Sequence, residues 1–256
     1  MSMIQTAIQH MQSGQWKEAV AILREAPPSF QSCNLLGIAH QMSQNWSGAK
    51  AAWSQALHYH PDSEDVRLNL GIACVAIGLQ NEAEIHWLHI VKSNPEHVQS
   101  LINLGLLYRE TGRNQEAHDC WQGALDALPE QPKVIEWLAD VKGVLGKEAM
   151  TLGRLNEAGD LLKKAVSMDP IYPMLWGYLS EWYIQKGELT QALQACTKAC
   201  ELEPSNPSFF EMRGSIHRRI GNSETALQMY RMAIDLGTEE ESTLKMVAEL
   251  EGESKG

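Results

Sequence analysis

Small, bulky and turn-forming residues return along this chain at a spacing of 34. The stretch NLGIACVAIGLQNEAEIHWLHIVKSNP, ending at Pro95, lies over NLGLLYRETGRNQEAHDCWQGALDALP, ending at Pro129. The two share Asn-Leu-Gly, a second Gly seven residues later, then Glu-Ala, Trp and Pro. Frames begun at Glu64 and Val98 extend back to Phe30 and forward to closing prolines at Pro170 and Pro204. A last copy starts at Pro207, with Thr238 where proline would stand. Glycines 78, 112, 153, 187 and 221 fall where a helix ends and the chain wants a left-handed residue, and each proline stops the helix before it. The pattern therefore predicts pairs of helices joined by a glycine turn. Near the end, Thr238 and Glu241 have capping-box spacing, and Leu244, Val247 and Leu250 form one apolar stripe, which predicts a helix over 239–251.

The order Trp or its equivalent, Leu-Gly, Ala, an aromatic and Pro in a 34-residue period resembles the tetratricopeptide repeat over nearly the whole chain. The resemblance implies an all-α, right-handed superhelical solenoid of about seven helix-turn-helix repeats with a C-terminal capping helix. Within it the recurring residues read as packing demands. Gly37, Gly71, Gly105, Gly146, Ser180 and Gly214 occupy position 8, and Ala49, Ala83, Ala117, Ala158, Ala192 and Ala226 occupy position 20. These are the places where the helices of a hairpin cross, and a large side chain would pry them apart. Trp53, Trp87, Trp121, Leu162, Cys196 and Tyr230 hold position 24, the knob beneath the crossing. Trp16 and Trp46 share a packing slot at the start of a second helix, and Trp137, Trp176 and Trp182 are expected in the core.

The frame divides the chain into repeats 1–29 (degenerate), 30–63, 64–97 and 98–131, then 132–172, 173–206 and 207–238, with 239–256 as capping helix and tail. The step from Pro129 to Pro170 is 41 residues, seven too many. Seven residues bring a helical face back to within ~20° of its start, so the surplus lengthens the first helix of that repeat by two turns, ~10 Å. It separates residues 1–131 from 132–256; sequence does not decide whether the chain hinges there.

The formal net charge is −11. Residues 1–131 carry 7 Lys and Arg against 13 Asp and Glu, and the remainder 14 against 19. Neither half has the basic footprint of nucleic-acid binding. No stretch approaches the ~18 apolar residues of a membrane helix, and the N-terminus shows no secretory signal. Five scattered cysteines suit a reduced cytoplasm better than a disulfide framework. His86 and His89 have helical ligand spacing, but no further ligands accompany them, so no metal or other cofactor is expected. Cys196 and Cys200 read as packing. No phosphate loop, nucleophile elbow or zinc-protease motif is present, so an enzyme is not expected.

In the family the first helix of each hairpin lines a concave face through positions 2, 5, 6, 9, 12 and 13. Carried onto this sequence, the candidates are Ile38, Leu68, Asn69, Ile72, Val75, Ile102, Asn103, Leu106 and Arg109, apolar with few charges. Lys147, Tyr178 and Arg218 follow in a more charged second half. Asn69 and Asn103 both stand at position 6, where a similar run of asparagines in O-linked N-acetylglucosamine transferases grips peptide backbone; capping or solvating a helix surface is the other reading of the pair. The expectation is a non-catalytic adaptor or scaffold holding a protein or peptide partner, with homo-oligomers left open. A chaperone-like carrier of an apolar cargo segment, or an accessory subunit of an enzyme acting in trans, are the alternatives.

Overall fold

The computed structural model describes residues 2–253, and among these the chain is all helix and loop, without strands. It comprises two compact units, residues 1–130 and 131–256. The first unit holds four hairpins: α1 (Met3–Gln12) with α2 (Trp16–Glu25), α3 (Phe30–Met42) with α4 (Trp46–Tyr59), α5 (Glu64–Ala76) with α6 (Gln80–Ser93), and α7 (Val98–Glu110) with α8 (Asn114–Ala127). The second holds α9 (Pro132–Thr151) with α10 (Leu155–Met168), α11 (Pro173–Lys186) with α12 (Leu189–Leu202), α13 (Pro207–Ile220) with α14 (Ser223–Asp235), and a terminal α15 (Glu241–Glu253). The seven surplus residues lie in α9, which runs 20 residues where α7 runs 13.

The five turn glycines have φ between 74° and 87°, as a left-handed turn requires. In the α3–α4 turn Gln44 takes that place at φ 57°, the one non-glycine with positive φ among the described residues. An L-residue there costs roughly 1–2 kcal/mol.

Five of the seven hairpins are locked by a size match between a glycine at position 8 and the side chain at position 24. A Cβ on Gly105 would stand 2.2 Å from Trp121 Nε1, and one on Gly71 2.3 Å from Trp87 Nε1. The glycine thus makes room chiefly for the tryptophan knob; the position 20 alanine, expected from sequence to be the obstacle, is not among its nearest neighbours in these hairpins. The indole of Trp87 donates to the Leu68 carbonyl at 3.2 Å and that of Trp121 to the Ile102 carbonyl at 3.3 Å, so the knob also ties second helix to first. Where position 8 is Ser180, position 24 is the smaller Cys196, and Ser180 Oγ donates to the Ala192 carbonyl at 2.8 Å. Cys196 is fully buried and donates to the Phe209 carbonyl at 3.2 Å, and its neighbour Cys200, with burial, pushes its thiol up. A thiol so held stays protonated, consistent with a packing role.

Neighbouring hairpins are joined by polar ties over the apolar stack. Glu84 of α6 accepts from Tyr108 Oη at 3.0 Å and from Arg113 Nη1 at 2.8 Å, and Arg113 lies over the Tyr108 ring. Trp182 is buried against Gly159, whereas Trp137 and Trp176, expected in the core, are only half-buried. The α15 start also differs from expectation. The expected capping box with Glu241 is not formed: Thr238 Oγ1 accepts from Glu240 N–H at 3.4 Å and donates to Glu211 Oε1 of α13 at 2.6 Å, and the Thr243 hydroxyl donates to the same oxygen at 2.8 Å. Glu211 is half-buried, and its carboxylate draws both hydroxyls into charge-assisted hydrogen bonds, which are the stronger ones.

Candidate interaction surface

In the first unit, α5 and α7 bound a cleft of about 300 Å³. Ile72 and Val75 of α5 and Asn103 and Leu106 of α7 line it, each pair three residues apart and so on one helical face. Ala76, Leu107 and Glu110 extend these walls towards the helix C-termini. Trp46, the first residue of α4, and Trp87 complete the lining. Sequence assigns the two tryptophans to packing; both do pack, but each also shows a surface to the cleft. Nothing in the repeat pattern marks Trp46 for this, because it reaches the cleft from the preceding hairpin.

The walls are apolar, and the polar exceptions are few. Asn103 Oδ1 accepts from Gln99 Nε2 at 3.1 Å. Its Nδ2 is buried and has no hydrogen-bond partner among the described residues. Such a donor costs roughly 1–3 kcal/mol until an acceptor reaches it.

The remaining sequence candidates are placed differently. Leu68 and Ile102 lend their carbonyls to the tryptophan knobs and do not line the cleft. Ile38, Asn69 and Arg109 are half-buried on α3, α5 and α7, outside it. In the second unit Lys147 lies 4.9 Å from the Tyr178 ring centroid and 4.0 Å from Glu181 Oε2, so these three satisfy one another. Arg218 is engaged by the terminal helix: it donates to Glu249 Oε2 at 3.2 Å and to the Met246 sulfur. It borders a separate cleft of about 650 Å³ between α13, α14 and α15.

Three histidines are biased towards the neutral form. Burial, then the positive charge of Arg24, lowers His40, whose Nδ1 accepts from Asn45 Nδ2 at 3.2 Å. Burial, then Arg67, lowers His86, which is half-buried rather than wholly outward. Burial, then Arg213, lowers His217. Among the described residues no three His, Cys, Asp or Glu side chains converge as a metal site, and no helix is long and apolar enough to cross a membrane.

Family sequence models described as tetratricopeptide repeat match residues 34–88 and 144–207, and a further one matches residues 98–127. Solved structures agree at the level of fold. The C-terminal part of a repeat-containing protein from Cytophaga hutchinsonii superposes with a TM-score of 0.66 at 11% identity, covering 95% of this chain and 99% of that one. A tetratricopeptide repeat protein from Parabacteroides merdae gives 0.53 at 17% identity, covering 97% of each chain. YrrB, described as a repeat protein with an unusual peptide-binding site, gives 0.57 at 19% identity over 77% of this chain and 98% of its own. The helix pairs, the glycine turns, the knob-and-glycine crossings and these matches agree, and the chain belongs to the tetratricopeptide repeat family.

Proposed function

We propose that this chain is a non-catalytic adaptor that holds a segment of a partner protein against the first-helix face of its first unit. The family is a protein-interaction repeat scaffold, and the proposal concerns where and how this member binds. One observation carries it: an apolar cleft between consecutive first helices is lined by Asn103, whose buried amide donor Nδ2 has no acceptor among the described residues. A peptide carbonyl would satisfy that donor whatever the side chain beside it, while Ile72, Val75 and Leu106 supply apolar contact. That YrrB has a peptide-binding site supports a peptide as the kind of ligand. A carrier shielding an apolar cargo segment would use the same cleft and differs only in the fate of what it holds.

Affinity purification from native cells with wild type, Leu106→Gln and Asn103→Ala tests the reading. Leu106 is 40% exposed, so its replacement leaves the core intact. Partners retained by wild type should be lost with Leu106→Gln and weakened about three- to tenfold with Asn103→Ala, the worth of one hydrogen bond. Asn69→Ala, outside the cleft, should retain them. Retention of the same partners by all three variants, with unchanged circular dichroism, would refute the reading.

A further inference from the structure

The cleft has a charge asymmetry that the repeat pattern does not require. Glu110 is the one charged side chain among its lining residues; it is exposed and has no ion pair among the described residues. It is also the last residue of α7, where the negative end of the helix dipole makes an acidic side chain unfavourable. The C-terminus of α5, at Ala76, brings a second negative helix end to the same wall, and its last turn holds no basic residue. The N-terminus of α4, at Trp46, and those of α6 and α8, which follow α5 and α7 across short turns, contribute the opposite partial charge. Arg109 precedes Glu110 in the last turn of α7 but does not line the cleft. The Arg113 guanidinium, in the following turn, is taken up by Glu84 and Glu116. The whole unit leans the same way, with 7 Lys and Arg against 13 Asp and Glu.

Resting on the cleft reading above, we infer that the segment it takes has an apolar anchor side chain followed by lysine or arginine. The anchor enters between Ile72, Val75 and Leu106, its backbone carbonyl accepts from Asn103 Nδ2, and the cation meets Glu110 at the mouth. Glu110 is exposed at the mouth without an ion pair among the described residues, and a cation of the ligand would supply one. An acidic flank would be repelled by the same groups, so the charge sets specificity more than affinity.

The test uses fluorescent peptides of the form Gly-Ser-Phe-Leu-X-X-Ser-Gly, with X as Lys, Ser or Glu, titrated into the full chain and followed by anisotropy. The Lys peptide should bind roughly two- to fivefold more tightly per charge than the Ser peptide, the range of exposed ion pairs, and the Glu peptide more weakly still. The spread should narrow as salt is raised. Glu110→Lys should invert the order, and Leu106→Gln, which changes no charge, should weaken all three peptides together. If Leu106→Gln weakens binding but Glu110→Lys leaves the order unchanged, the basic flank is wrong and the cleft stands. If peptides bind equally well to Leu106→Gln, the cleft reading itself fails. If none of the three binds wild type, both are overturned.

Discussion

Gly105→Ala probes the crossing that five of the seven hairpins repeat. The added methyl would stand 2.2 Å from Trp121 Nε1 and 2.5 Å from its Cδ1, far inside contact distance. Neither group can retreat freely: Gly105 is buried mid-helix, and Trp121 is 1% exposed with its indole donating to the Ile102 carbonyl. Overpacking costs typically ~1–3 kcal/mol, and displacing the indole loses a hydrogen bond and strands a donor, another ~1–3 kcal/mol. Alanine regains ~1 kcal/mol of helix propensity over glycine. The net is a loss of about 1–5 kcal/mol, with the sign set by sterics and not by propensity. A double-mutant cycle with Trp121→Leu, followed by urea unfolding, isolates the contact. With Trp121→Leu already in place, the alanine should cost at least ~1 kcal/mol less, within the coupling seen for touching residues. The Ser180 and Cys196 pair, where a smaller knob accompanies a side chain at position 8, shows the compensation already at work in this chain. Additive effects of the two substitutions, or no loss with Gly105→Ala alone, would refute the size-match argument.

Gln44→Gly should stabilise the protein by about 1 kcal/mol, since it relieves a left-handed L-residue, and denaturant unfolding would show it as a higher midpoint. Acid should weaken the fold through His40, His86 and His217. Each has a folded value below the ordinary 6.5, so the unfolded chain binds more protons as pH falls. Their stability contribution is therefore complete above about pH 6.5 and is lost on acidification through the lower folded values, a decline that His40→Gln should blunt in a pH series of urea midpoints. Thr243→Val removes one of the two hydroxyl donors to Glu211 and should loosen α15 by about 1.5–3 kcal/mol, seen as faster hydrogen exchange confined to the α13–α15 end.

Helices and turns were readable because their signals are local. A left-handed turn demands glycine wherever the hairpin reverses, and proline cannot continue a helix, so the frame located the hairpin turns without tertiary information. Gln44 marks the limit: the period placed a turn there, and only the structure shows the strained residue that makes it. The candidate surface was half legible. Positions 6, 9 and 12 correctly put Ile72, Val75, Asn103 and Leu106 on first-helix faces, but which of the candidates share one cleft depends on how successive hairpins stack. Trp46 escaped notice because it arrives from the hairpin before, and its packing slot explained it already. Arg218 illustrates the converse. Its position suits a groove, yet Glu249, far along the chain, takes its guanidinium, and no pattern within a repeat carries that pairing. Thr238 likewise gives its hydroxyl proton to Glu211 of α13, a partner that no local pattern marks.

On the function proposed, partner protein is held on the first-helix face at the α5–α7 cleft. Photo-crosslinking in native cells tests it most directly, with a benzophenone amino acid placed in turn at Leu106, in the cleft, and at Ile85, which is 64% exposed on α6 and outside it. A discrete adduct is expected from Leu106, competed away by the Phe-Leu-Lys-Lys peptide, and none from Ile85. Equal adducts from both positions, or an adduct from Ile85 alone, would contradict it.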